Sequence, residues 1–558
     1  AQNMQVDLGR FSADGLGMLS LYDGQQSQRL QSARAYAAGA VVHLHSERPR
    51  HPDGSGGKLR LRTGSFGTAN PSVQWDKELW HGVVLRSSAE FLYSNGRYKY
   101  PFFDTTLVRE NGDIRSLRLE AQLFGTLRRG AWNLHAYSYG SERGYPGPVI
   151  RRATGFPFSA ERQDDQDLFL QGGWEQDWGE HYATALRFKY THAKSHYNTH
   201  AERNPMAMPY NVHYRQHAGY LSLAQSFAIT EIWSADISTD GQFNSLDCDA
   251  GQFVTPRRAT FTGALATRLY WAHFRAAAHV AYLGAWDYFD TPAAGGWTRE
   301  NRYRPAWMPS LVLSWEPFSW LSLDAYCKRS ERLPSFNDLY YTLMGNAALS
   351  PETAWQAGAD LRACFRQGAW HGDARLSAYR NRVSQKIVAI PTASQFRWTM
   401  LNIGLVDITG LDAKVETGYR QPDWHAGVTA RFSFQQALDH STPGSSTYGN
   451  QIPYIPRFSG SLHGEAAYRA WTLDYDLGFS GGKWSRSANT PDYYIRPWCL
   501  SDLTLSRRIA LPAGKGRTQI PQLHIALQGN NLFNTPYEVV QGYPMPGFNA
   551  LLCLTFTW

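Results

Sequence analysis

The chain ends "GFNALLCLTFTW", Gly547 to Trp558. Read at alternate positions, Phe548, Ala550, Leu552, Leu554, Phe556 and Trp558 form one face. Asn549, Leu551, Cys553, Thr555 and Thr557 form the other. A period of two is the side-chain period of a β-strand. A strand that finishes on a large aromatic residue at the last position has two readings. It is the terminal strand of a soluble sandwich, or it closes a membrane barrel whose apolar face meets lipid. The segment alone fits both, so the rest of the chain decides.

Composition favours the barrel. The 558 residues are 43% hydrophobic and 14% aromatic, with 20 Trp and 31 Tyr, yet the mean hydropathy is −0.45. No apolar run approaches the roughly 18 residues a membrane helix needs. Many aromatics without long apolar runs suit a wall whose lipid-facing residues alternate with polar lumen residues, with aromatic girdles at both interfaces. A large soluble β-protein such as a propeller would need a blade-length repeat, and none is present. The net charge of +8 is spread along the strands. That argues against a nucleic-acid partner and for a basic lumen or contact with outer-membrane lipid.

Working back from the terminus, the same pattern recurs after about residue 55. "GKLRLRTGSFG" sets Leu59 and Leu61 between Lys58, Arg60 and Arg62. "WLSLDAYCKR" sets Leu321, Leu323 and Ala325 opposite Ser322, Asp324, Tyr326 and Lys328. "QLHIALQGN" sets Leu523, Ile525 and Leu527 opposite His524, Ala526 and Gln528. Each is an amphipathic strand. Some strands are joined by brief turns such as "LPAGKGRTQIPQ". Others are separated by long polar-aromatic stretches, among them Gly144–Asp167, His196–His217 and Leu333–Glu352. Short turns on one side and long loops on the other are the habit of outer-membrane barrels. About 500 residues at roughly 23 per strand and connection give about 22 strands, the class with a plugged lumen.

The five cysteines (Cys248, Cys327, Cys364, Cys499, Cys553) show no metal spacing. Cys327 shares a face with Leu323, whereas Cys364 lies opposite Leu361 and Phe365, so the strand phase keeps those two apart. The first 52 or so residues differ from the rest, a short α/β-like stretch ending in Pro, Gly and Ser. Too small for a core of its own, it reads as part of a domain that precedes the barrel. Ala1 carries no signal peptide, so the expected form is mature or truncated.

Three stretches carry a family resemblance. Val6–Pro49 holds a strand, a turn at Gly24 and small residues Ala37–Ala40 leading into a strand at Val41–Leu44. "KRSERLPSFNDLYYTLMGNAALSPETAWQ" carries Arg332, Pro334, Leu339, Tyr340, Gly345, Asn346, Leu349, Pro351 and Glu352 in an R-x-P…L-Y…GNxxLxPE pattern. "GNNLFNTPYEVVQGYPMPG" carries an NLF(N/D)xxYE…GYPxPG pattern, directly before the terminal strand. With these the chain resembles the TonB-dependent outer-membrane receptors, and within them the cobalamin (BtuB-like) receptors.

The resemblance implies an all-β fold, an antiparallel transmembrane barrel of about 22 strands with a partial plug in its lumen. Residues 1–52 would be the C-terminal half of the plug and 53–558 the barrel. It implies the outer membrane of a Gram-negative bacterium and active transport of a large, scarce nutrient, a corrinoid first and haem or a siderophore as the alternative. It also implies that the final aromatic residue is the address read by the barrel-assembly machinery. That residue is usually Phe, so Trp558 departs from the pattern, and Asn549 lies near where many relatives carry Arg. The first half of the plug and the TonB box lie outside these 558 residues, which places the TonB contact upstream of Ala1. A surface lipoprotein cap is a further partner the resemblance leaves open. Asn531 and Asn534 are expected in a periplasmic turn and the prolines after Tyr543 in an extracellular loop.

No catalytic constellation is present: no GxSxG, no HExxH, no phosphate-cradling loop. The chain is therefore read as a non-enzyme. For a large polar ligand the useful chemistry is aromatic faces and amides at the lumen mouth. Tyr93, Tyr98 and Tyr100, with Asn337, Tyr340, Tyr341 and Asn346, fit that description. For Tyr93 and Tyr340 an aromatic girdle at the lipid headgroups accounts for the residue equally well. His192, His196 and His200 recur every four residues, with His213 and His217 following. They would bind haem or a divalent metal if their imidazoles converge, or simply make one face His-rich. Asp164, Asp165 and Asp167 would offer oxygens to a structural calcium in an extracellular loop, or form a solvated acidic stretch.

Overall fold

The computed structural model describes residues 8–22, 29–46, 48–49, 54–80, 82–149, 160–202, 209–251, 253–293, 296–341, 345–391, 398–512 and 519–558. Twenty-two antiparallel strands close into one barrel. No described helix is long and apolar enough to cross a membrane. Neighbouring strands follow one another along the chain. The first, Ser55–Gly64, pairs with the last, Asn549–Thr557, from Lys58 opposite Thr557 to Gly64 opposite Leu551.

The final residue belongs to this seam. The Trp558 N–H donates to the Gly57 carbonyl at 3.1 Å, and the Gly57 N–H to the Trp558 carbonyl at 3.0 Å. A Cβ on Gly57 would stand 2.4 Å from the Trp558 ring, so only glycine fits where the indole crosses the first strand.

Period-two alternation sorts the side chains as expected. Leu59, Leu61 and Leu323 are exposed on the outer wall. Leu523 lies opposite Phe556 and Leu554 opposite Leu61, which puts both on that same wall. On the inner phase, Lys58 and Arg60 each reach Asp14 at 2.9 Å, and Lys328 donates to the Gly39 carbonyl. Asp324 shares the phase of Lys328. The five cysteines are free.

Exposed Trp178, Trp271, Trp320, Trp370, Trp424 and Trp471 ring the short-turn end of the barrel. Tyr93, Tyr190, Tyr288 and Tyr303 stand toward the other end. These are the two girdles of a membrane barrel. Turns at 272–273, 319–320, 368–369 and 469–470 contrast with connections at 333–351, 440–457, 481–497 and 531–548. Asn531 and Asn534 require a correction. They open the long connection 531–548, on the same side as Pro544, and are not in a periplasmic turn. Their positive φ values, 49° and 50°, reverse the chain as it leaves the strand Gln522–Asn530.

Within the barrel, strands Leu16–Tyr22 and Val41–Ser46 pair antiparallel, and the helix Ala33–Ala37 lies between them in sequence. The turn expected at Gly24 lies outside the described residues, as does the expected boundary between 52 and 53. The helix starts against the wall. Backbone N–H groups of Ala33 and Arg34 donate to the Asp240 carboxylate at 3.3 and 2.7 Å. An acceptor there satisfies donors that a helix N-terminus leaves open. Tyr36 donates to Asp236 at 3.2 Å, and Arg268 pairs with the same carboxylate at 2.7 Å. The N-terminal segment thus rests on wall strands from Ser55–Gly64 to Leu321–Arg332.

Candidate functional site

The long-loop end of the lumen carries most of the candidate residues. The connection after strand Leu321–Arg332 folds inward as a short helix, Phe336–Tyr340. Ser335 caps it through the Asp338 N–H at 3.1 Å, and the Asp338 carboxylate accepts from the Ser335 N–H at 2.9 Å. This reciprocal box explains why "PSFND" turns helical after a strand. Arg332 secures the same carboxylate at 3.1 Å.

The helix docks on the inner wall through aromatic contacts. Phe336 lies under the Arg258 guanidinium at 5.3 Å, and Arg258 donates to the Pro334 carbonyl at 2.8 Å. Arg258 also makes a bidentate pair with Asp287, both groups almost fully buried. Tyr340 sits 6.4 Å from the Phe289 ring, and Tyr341 stacks on Tyr214 at 4.8 Å. Burial raises both phenols above their usual range, so they stay neutral donors. Asn346 spends its amide on tying the loop to the wall, donating to the Met400 carbonyl of strand Trp398–Arg420 at 3.0 Å and accepting from the Ala348 N–H at 3.0 Å. Asn337 is half-buried on the helix.

Tyr98 and Tyr100 lie in a hairpin of strands Tyr98–Phe102 and Thr105–Arg109. Tyr98 donates to the Pro544 carbonyl at 2.7 Å, and Arg109 lies 5.7 Å from the Tyr543 ring. Tyr100 is buried. The structure thus places the chosen residues in two groups, one on this hairpin and one on the helix loop. Wall residues stand between them. Glu161 accepts from Tyr197 at 2.8 Å, Tyr145 donates to Gln163 at 2.8 Å, and the Tyr145 and Tyr197 rings are 6.4 Å apart. Tyr145, Tyr197, Tyr214 and Tyr543 were missed in the sequence. The signal was there for the first three: the inward phase of each strand, followed past the apolar band to its upper end.

Three sets of candidates are displaced. Tyr93 stands exposed on the outer wall, on the phase of Phe91, so it belongs to the girdle and lines no enclosed site. His192 and His196 share the phase of exposed Phe188 and Tyr190 and also face outward. His200 lies beyond the strand end at φ 46° and pairs with Glu202. The three histidines therefore do not converge on the lumen. Asp164, Asp165 and Asp167 form no calcium loop, because they lie in the strand Glu161–Asp177 and alternate. Asp165 and Asp167 point inward to Arg10, with Arg143 2.5 Å from Asp165, while Asp164 points outward to His196.

Among the described residues one group could hold a metal, His463, Glu465 and Asp474, with ligand atoms within 4.8 Å of one another. Other neighbours already engage it: His463 bonds Asp476 at 2.8 Å and Glu465 bonds His425 at 2.5 Å.

The family model described as "TonB dependent receptor-like, beta-barrel" matches residues 103–532. The chain belongs to this family. The family's barrel implies the outer membrane of a Gram-negative bacterium. The vitamin B12 transporter BtuB of Vibrio vulnificus (strain YJ016) is 32% identical over 111 residues, 20% of this chain and 18% of that relative. The aligned stretch therefore spans less than a fifth of the relative's length. Among solved structures, the copper transporter OprC superposes with a TM-score of 0.75 at 14% identity, covering 100% of this chain and 88% of that one. The siderophore receptor PiuA from Acinetobacter baumannii gives 0.74 at 11% identity, covering 98% and 86%. The FrpB iron transporter of Neisseria meningitidis gives 0.70 at 12%, covering 97% and 87%. At such identities these likenesses speak for the fold alone.

Proposed function

We propose that this chain is the barrel of an energy-coupled outer-membrane receptor that imports a large, scarce nutrient of the corrinoid class. The observation that carries the reading is the chemistry of the lumen mouth. Its inward surface includes tyrosines held neutral by burial (Tyr98, Tyr100, Tyr340, Tyr341), Arg258 is paired with Asp287, and Glu161 accepts from the Tyr197 hydroxyl. A corrinoid presents amide side chains around a flat ring, which neutral donors and aromatic walls suit better than a charged pocket does. Haem would select imidazole and Arg, and the histidines that looked suited to it face away from the lumen. The local likeness to a vitamin B12 transporter supports the same class. Energy coupling would come from TonB, through a segment upstream of the described residues, and a surface lipoprotein would be an accessory.

The test is a titration of full-length purified receptor with cyanocobalamin and, separately, with haemin. Saturable cobalamin binding that weakens in Tyr341→Ala is the expected result. Tight haemin binding with no cobalamin binding would make the haem reading correct.

A further inference from the structure

The outer wall carries an arrangement that ligand uptake does not use. Strands Tyr182–Asn198 and Asn211–Ala228 are paired so that three successive outward rungs join cationic or cationisable residues directly. These rungs are His192 opposite His217, Lys194 opposite Arg215 and His196 opposite His213. Like charges directly opposite on one face destabilise a sheet, so the Lys194–Arg215 rung favours an anion beside it.

The upper rung is partly offset within the protein, since His196 meets Asp164 at 3.2 Å and His213 meets Asp249 at 2.7 Å. In the middle rung no such contact forms, although a carboxylate lies in register beside it. Lys194 faces Gln166 on its other side, and Arg215 faces Asp247 in register. No ion pair or hydrogen bond of Lys194 or Arg215 is found among the described residues, and both are exposed. In the lower rung the two Nδ1 atoms are 3.4 Å apart, and the Tyr190 hydroxyl is 2.9 Å from His217.

Directly below the ladder, toward the membrane centre, the wall is hollow. Tyr190 lies opposite Gly219, and on the next strands Gly241 lies opposite Leu221 and Phe261. A Cβ on Gly219 or Gly241 would meet nothing within 4 Å. The groove over these glycines measures about 610 Å³ and is walled by Phe188, Tyr190, Phe243, Phe261 and Trp286. A Lys–Arg rung flanked by imidazoles at headgroup height, above an aromatic groove at acyl-chain height, has the polarity of one lipid molecule.

We propose that this face seats a phosphate-bearing lipid of the outer leaflet, with its phosphate on Lys194 and Arg215 and one acyl chain in the glycine-floored groove. Charge complementarity selects the headgroup, because an anion bridging Lys194 and Arg215 relieves their repulsion. The absent side chains at Gly219 and Gly241 make room for the chain. The site lies on the long-loop side, where outer-membrane barrels meet the outer leaflet.

The test uses the full chain in detergent, stripped of lipid and titrated with bisphosphorylated lipid A, with bound lipid counted by native mass spectrometry. The double variant Lys194→Gln/Arg215→Gln should bind about 30-fold more weakly. Dephosphorylated lipid A on the unaltered chain should bind as weakly. Gly219→Leu/Gly241→Leu, at positions where a Cβ meets nothing within 4 Å, fills the groove and should cost affinity while leaving the ladder intact. Heat-modifiable migration checks that each variant is folded, and the single variants Lys194→Gln and Arg215→Gln replace any double variant that is not. Unchanged affinity in both the charge and the glycine variants would overturn the proposal. So would complete displacement of the lipid by inorganic phosphate, which would mark a free-anion site. Cyanocobalamin binding is read in parallel, so failure here is separable from failure of the uptake reading.

Discussion

Replacing Leu265 with Arg gives a sharp test of whether this wall faces lipid. Leu265 is 57% exposed, and Ile237 and Val280 flank it in register, both exposed on the same wall. On a soluble protein such a change would be nearly neutral, since surface substitutions usually stay within about 0.5 kcal/mol. In a bilayer the depth of the residue decides. Leu265 lies six residues along its strand from the girdle residue Trp271. At about 3.4 Å per residue and a tilt near 40°, that is about 16 Å along the membrane normal. The apolar band is about 25 Å tall, which puts Leu265 within about 3 Å of its midplane. Arg there costs about 2–4 kcal/mol, a shift of roughly 30- to 700-fold in the folded-to-unfolded ratio. Thr262 is buried on the inner phase of the same strand, so Thr262→Ser controls for strand damage. The assay is reversible urea unfolding in lipid vesicles followed by tryptophan fluorescence. A Leu265→Arg midpoint equal to that of the unaltered chain would refute the lipid-facing assignment.

Deleting Trp558, or making Trp558→Asp, should lower surface levels of folded receptor, because the residue closes the seam on Gly57; heat-modifiable migration and surface labelling check this. Arg258→Ala should destabilise the receptor by about 3–5 kcal/mol, because it removes the bidentate partner of buried Asp287. The loss is read as a lower urea midpoint and faster proteolysis at the Phe336–Tyr340 helix. Arg304, 3.5 Å from Asp287, would soften that loss, and Arg258→Ala/Arg304→Ala should exceed it. Burial raises the Tyr98 and Tyr340 phenols, so they remain protonated through the pH at which a free phenol ionises. Cobalamin affinity should therefore hold level from pH 7 to about pH 10, measured by equilibrium dialysis. His196→Ala should leave cobalamin binding unchanged, because its imidazole stands outside the lumen.

Most of the wall was legible from alternation. Leu59, Leu323, Leu523 and Leu554 declare their face because a strand has a side-chain period of two, and one buried or lipid-facing side leaves no freedom to slip the phase. The same rule, carried from Phe188 and Tyr190 to His192 and His196, would have turned the histidines outward. Spacing by four in a strand says only that residues share a face, and the apolar neighbours say which. Asp164, Asp165 and Asp167 read as a loop because acidic residues are rare in strands, whereas Arg10 and Arg143 make two of them tolerable inside. The partners lie on other segments, and no local pattern names them.

Composition, period and terminal motif together determined a closed barrel with its last strand at the seam. These are properties of consecutive residues, and local sterics and burial read them directly. Tertiary structure alone decided which strands lie opposite one another, and so the pairing of Lys194 with Arg215, of Tyr341 with Tyr214 and of Arg258 with Asp287. Register depends on how each turn starts its strand and on what fills the lumen. The contacts that set it join residues on different strands, 21, 127 and 29 positions apart for these three pairs, beyond what the period of any one strand reveals.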